Sequence, residues 1–166
     1  MPTVRPFACT VLLPLLVGCA SGGTYEGDIY RDAETHFRLA SPGSGWQSIS
    51  VGDANDLAWA REGAIIQVNS SCDPGLDIPL EALTHHLMIG FTERSIVEQR
   101  RVPMAGREAL RTHVRAKLDG VPRELLLVVL KKDECVYDFA AVTPPGSAFE
   151  SARSEFEAML ASFETR

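Results

Sequence analysis

Positive charge is scarce in this chain: 16 Lys and Arg stand against 22 Asp and Glu, a formal charge of -6 in 166 residues. That balance removes the basic footprint that supplies most nucleic-acid affinity, so no nucleic-acid partner is expected. Cysteines and histidines number four each. No two cysteines form a Cys-x-x-Cys pair, and no two histidines stand four residues apart on a helix face, so thiol redox catalysis and a helical metal site both lack their usual frame. Gly-rich phosphate loops, heptad runs and internal repeats are missing as well. The longest apolar run, Phe7 to Val17, covers about half of the roughly 20 residues that a membrane-crossing helix needs, and Pro14 interrupts it.

What the first residues do contain is an address. Arg5 precedes the apolar run, and Leu16-Val17-Gly18-Cys19 follows it, the order of a secretory signal. These four residues resemble the lipobox of bacterial lipoproteins, which implies cleavage before Cys19 and acylation of its thiol. Residues 1–18 then read as a removed signal peptide, 19–28 as a lipidated cysteine with a flexible Gly- and Ser-rich tether, and 29–166 as one globular domain. Loss of residues 1–18 removes only Arg5 from the charge count, so the mature chain carries 15 basic and 22 acidic residues and a charge of -7. Such a domain gains little from an anionic lipid surface, and the lipid itself must hold it there. Ala20 rather than an aspartate follows the cysteine, and the lipobox resemblance therefore implies an outer-membrane address facing the periplasm.

With Cys9 removed and Cys19 acylated, Cys72 and Cys135 remain as an even pair in an oxidising compartment. Either they form a disulfide or they stay as separate thiols at two strand ends. A bond between them would constrain the unfolded chain by about 4 kcal/mol on the loop-entropy estimate.

Apolar patterning divides residues 29–166 into strands, one helix, a long meander and a final helix. Strands are expected at 36–39, 46–51, 57–61 and 64–71, with Pro-Gly and Glu-Gly turns between them. Pro79 opens an amphipathic helix carrying Leu80, Leu83, Leu87 and Phe91, weakened at Gly90. Strands at 95–104 and 107–118 flank Ala105-Gly106. In the second of these Leu110, Thr112, Val114, Ala116 and Leu118 alternate with Arg111, His113, Arg115 and Lys117, giving one apolar and one basic face. Asp119-Gly120 suits a two-residue type I′ hairpin. The next strand, 124–131, is apolar on both faces and belongs at the sheet centre, followed by a strand at 135–142 and a helix at 148–163. This order predicts an α+β domain in which an antiparallel β-sheet is flanked by helices.

Three stretches then acquire a common meaning: Phe37-Arg38-Leu39-x-x-Pro42-x-x-x-Trp46, Val102-Pro103-Met104-Ala105-Gly106-Arg107 and Phe156-Glu157-Ala158-Met159-Leu160-Ala161-Ser162-Phe163. Together they resemble the PsbP-like fold, an α/β/α sandwich shared by photosystem extrinsic subunits and the DcrB type of bacterial lipoprotein. The resemblance implies no catalytic residues and no cofactor, because members serve mainly as binding or assembly accessories. Each stretch also has a plain structural role: Trp46 as a core plug, Gly106 in a tight turn, Ser162-Phe163 seating the helix.

Few side chains are left as candidates for chemistry. His85 and His86 are adjacent, so on a helix they point about 100° apart and cannot share one ion. Ser44 lies between glycines in a loop without a nucleophile frame. The basic strand face of Arg111, His113, Arg115 and Lys117, near Arg100 and Arg101, is the one concentrated positive surface, either solvated or met by an acidic partner. The expectation is a non-catalytic, membrane-anchored envelope lipoprotein that binds or helps assemble an envelope component. A hydrolase of envelope polymers or lipids, or a carrier holding a small lipid between helix and sheet, are the alternatives.

Overall fold

The computed structural model describes residues 22–50 and 55–166. The signal peptide, Cys19 and the start of the tether lie outside the described residues. In chain order the elements are β1 (Thr24–Glu26), β2 (Ile29–Arg31), β3 (His36–Arg38), β4 (Gln47–Ser48), β5 (Leu57–Arg61), β6 (Ala64–Ser71), a 3-10 turn (Pro74–Leu76), α1 (Leu80–His86), β7 (Phe91–Met104), β8 (Arg107–Leu118), β9 (Val121–Lys132), β10 (Cys135–Thr143), α2 (Ser147–Ala161) and β11 (Glu164–Thr165).

The main sheet has seven strands in the order β4-β5-β6-β10-β9-β8-β7, and every pairing in it is antiparallel. Two-residue turns with positive φ at both positions make its hairpins tight: Glu62-Gly63, Ala105-Gly106, Asp119-Gly120 and Asp133-Glu134. Their left-handed backbone matches the twist of the strands they join. Strand β9 carries six consecutive buried apolar residues, Leu125 to Leu130, because both of its faces are covered. On one face α2 places Phe149, Ala152, Phe156 and Met159 against Ile66, Leu126, Val128 and Phe139. On the other α1 places Leu80 and Leu83 against Leu110, Val129 and Val136, while Met88, just past the helix, meets Val114, Leu125 and Ala140. The α+β class with helices on both faces of an antiparallel sheet is therefore observed.

A second sheet, β1-β2-β3-β11, shares the core on the α2 side of the main sheet. Phe37 at its centre is fully buried and meets Tyr30 at 4.9 Å, Phe163 at 5.6 Å and Tyr137 at 5.9 Å between ring centroids. This sheet shortens the expected tether: Thr24–Glu26 pairs with Ile29–Arg31 across Gly27-Asp28, and Tyr25 donates a 2.8 Å hydrogen bond to the Leu39 carbonyl. The helix expected to reach Phe91 is also shorter. Pro79 stands just before α1 rather than inside it, and Gly90, at φ 90°, turns the chain so that Phe91 starts β7 and pairs with Leu118. Strand β7 begins four residues before the expected Ser95 because two register shifts, between Thr92 and Ser95 and between Ile96 and Glu98, absorb its irregular sequence.

Candidate functional site

The basic row of β8 faces α2. Arg111 is nearly buried, its side chain 10% exposed; it donates at 2.9 Å to Glu98 on β7 and at 2.7 Å to Glu157 on α2. His113 stacks on Phe149 of α2, with ring centroids 4.5 Å apart and planes 12° from parallel. Burial holds its imidazole below the usual range in spite of the Glu124 carboxylate 3.7 Å away, so it is neutral at pH 7. Arg115 donates to the same buried Glu124 at 2.8 Å, and Lys117 pairs with Glu93 of β7 at 2.8 Å.

The expectation of a solvated face changes at Arg111 and His113, which are covered, and not at Arg115, whose side chain remains exposed, or Lys117, whose side chain remains half-exposed. The acidic groups that meet the row belong to the chain itself, supplied by β7, β9 and α2. His113, expected at the surface, lies under α2. The reason is geometric: Arg111 at the middle of β8 falls beneath the helix, and leaving its guanidinium there unpaired would cost several kcal/mol.

Cys72 and Cys135 are joined by a disulfide, with S–S 1.99 Å and Cα–Cα 4.1 Å. They extend the β6–β10 ladder by one step beyond Ser71 and Val136. The bond borders an open cleft of about 490 Å³ whose walls include Asp73, Asp77, Arg107, Lys131 and Glu134. A second cleft, about 420 Å³, runs between α2 and β7, lined by Val102, Met104, Leu160 and Phe163 with Arg111 and Glu157 at its edge. Neither is lined by a histidine or a serine. His85 and His86 are exposed at the end of α1, and no group of three or more His, Cys, Asp or Glu among the described residues could hold a metal.

Two polar features escaped the sequence. Tyr30 sits between two carboxylates, 3.1 Å from Asp32 and 3.1 Å from Asp56, and Asp56 accepts from the backbone N–H and the hydroxyl of Ser70 at 2.6 and 2.5 Å. This network ties the small sheet to β6. Asp138 of β10 faces the α1 side between Asn69 and Val129. Its Oδ1 has no hydrogen-bond partner, and burial pushes its carboxyl up to about 7. No sequence signal marks either, since both depend on which strands become neighbours.

The three stretches that carried the resemblance are structural. Trp46 is nearly buried, donates at 2.9 Å to Glu155 and lies 4.6 Å beneath the Arg61 guanidinium, which also pairs with Glu155. The Ser162 hydroxyl accepts from the Ala40 N–H at 2.8 Å and donates to the Met159 carbonyl at 2.6 Å.

No protein-family model and no curated protein sequence matches the chain. Solved structures do. LpqN of Mycobacterium tuberculosis, described as involved in cell envelope biogenesis, is similar with a TM-score of 0.60 and 9% identity over 86% of this chain and 88% of its own. The cyanobacterial PsbP of Synechocystis sp. PCC 6803 gives a TM-score of 0.57 and 14% identity over 78% and 86%. A Pseudomonas aeruginosa protein of unknown function, PA94, a putative regulator, gives 0.51 and 11% over 85% and 95%.

Proposed function

From the PsbP-like fold, shared over 78% of the chain, we propose that this chain is a lipid-anchored envelope protein, acylated at Cys19, whose domain binds or helps assemble another envelope component without catalysing a reaction. The observation that carries the reading is Leu16-Val17-Gly18-Cys19 directly after an apolar run too short to span a bilayer. Two further features support it. No helix among the described residues is long and apolar enough to cross a membrane, which is compatible with attachment through Cys19. Strand β1 begins at Thr24, five residues past that cysteine, so the domain would sit close to the bilayer. The envelope role named for LpqN accords with this reading. Outer-membrane sorting, from Ala20 in place of aspartate, and the periplasm-facing leaflet are part of the same proposal.

Metabolic labelling with radioactive palmitate tests it: the wild-type chain takes up label and Cys19→Ala does not. An unlabelled wild type, or a labelled Cys19→Ala, would sink the anchor. The alternative of a small-ligand carrier draws on one feature, the apolar cleft between α2 and β7; lipid recovered from the purified domain after detergent exchange would favour it.

A further inference from the structure

All six large apolar side chains exposed on the described surface gather at one end of the main sheet: Ile65, Ile89, Ile96, Val97, Leu118 and Val121. Register accounts for the grouping. Ile65 pairs with Val142, Val142 with Leu125, Leu125 with Val114 and Val114 with Ile96, an apolar row across five strands on the α1 face whose middle members, Leu125 and Val114, are buried under Met88 while its two ends are exposed. One turn further out Phe91 pairs with Leu118 and Leu118 with Val121, at the Asp119-Gly120 hairpin. Ile89, 75% exposed, projects from the turn that leads α1 into β7. Neither of the two clefts described above reaches this end, and the exposed side chains stand out from it as a ridge.

Charge differs between the two ends. Beside the ridge, Arg94 donates only to the Met88 carbonyl, and Arg123, opposite Ala116, makes no hydrogen bond or ion pair among the described residues. Neither has a carboxylate partner, whereas Arg115 and Lys117 nearby are paired. The acidic groups Asp73, Asp77, Asp133 and Glu134 line the cleft at the far end of β9. Twelve residues of strand separate the ends, roughly 36 Å and more than three screening lengths at 0.1 M salt. The carboxylates of that cleft are therefore screened from the ridge, where the nearby acids are Asp119, in the hairpin between Leu118 and Val121, Glu62, in the hairpin before Ile65, and Glu93, which Lys117 pairs.

We infer that this end is a bilayer-contact surface, with Ile89, Ile96, Leu118 and Val121 entering the acyl region of an anionic membrane and Arg94 and Arg123 meeting lipid phosphates. Aliphatic side chains on a ridge suit acyl chains; protein hot spots favour Trp and Tyr seated in pockets. Strand addition along β7 is obstructed by its two register shifts, its charges and Pro103. Each free cation contributes about a five-fold gain in partitioning onto an anionic surface. The inference is independent of acylation at Cys19, because the probe below reads the ridge alone.

The test is Ile89→Trp in the full chain, mixed with vesicles of phosphatidylglycerol brominated in its acyl chains. The native indoles of Trp46 and Trp59 are buried and stay unquenched, while the introduced one is quenched, and adding Arg94→Glu with Arg123→Glu reduces quenching at least ten-fold. Unquenched emission overturns the inference. So does equal quenching with and without the charge reversals, and so does a spectral shift seen only with vesicles that contain envelope proteins, which would mark a protein dock. Palmitate labelling separately decides the anchor.

Discussion

Replacing Asp138 by asparagine should stabilise the protein, and by an amount that grows with pH. In the unfolded chain this carboxyl titrates near 3.8, and in the native state burial raises it to about 7. The native state therefore holds a proton that the unfolded state has released, and the contribution runs in one direction: stability is fully present below 3.8 and is lost as pH rises through 7. The whole span is worth about 4 kcal/mol, of which roughly 3 kcal/mol fall between pH 4.5 and 8.5. Asparagine has nearly the same shape and no charge, and since Oδ1 has no partner the substitution removes no hydrogen bond there. Urea unfolding of both proteins at intervals across that range isolates the effect, because every other titrating group cancels in the difference. The gap in unfolding free energy should widen by about 3 kcal/mol toward pH 8.5. A gap that stays flat within about 0.5 kcal/mol would show that Asp138 ionises in the native state without cost, and the burial argument would fail.

Two further outcomes bear on the fold. Exchanging both Cys72 and Cys135 for serine releases a loop with a sequence separation of 63 and should lower stability by about 4 kcal/mol, or Tm by about 10 °C, in a non-reducing melt; an unchanged Tm would mean that the β6–β10 ladder alone supplies the constraint. Phe163→Ala opens a hole among Phe37, Tyr137 and Phe139 and should cost about 3–5 kcal/mol, whereas Ile89→Ala on the surface should stay within about 0.5 kcal/mol; equal losses would contradict the burial pattern.

Local signals carried the sheet and missed its surroundings. The alternation of residues 107–118, the doubly apolar run Leu125 to Leu130 and the Asp119-Gly120 turn are properties of a few adjacent residues, and β8, β9 and their hairpin lie where those residues place them. Strand β7 is an edge with both faces largely exposed, so nothing forced its first residues to alternate and its start was unreadable. The small sheet is built from strands of two and three residues, too short for any period. For the basic row, the cations were legible but their fate was not. Glu157 lies 46 residues from Arg111, and Glu98 lies 13 away across a shifted register, so the pairing follows from tertiary placement that charge patterning along one strand does not encode.

The way the small sheet closes has a bearing on the order in which the domain can be completed. Strand β3 waits for β11, joined through Phe37 to Thr165 and Arg38 to Glu164, and the Arg166 N–H donates to the His36 carbonyl at 2.9 Å. A chain that emerges amino-terminus first thus presents β1 to β3 long before their covering strand and Phe163 arrive. A chain cut before Phe163 leaves Phe37 and Tyr137 without that ring partner, exposed apolar surface of the kind that makes incomplete folds prone to aggregate. Residues 163–166 thus complete a sheet that the first strands of the domain begin, and a bulky group fused directly after Arg166 would press on β11 and on the Arg166–His36 hydrogen bond.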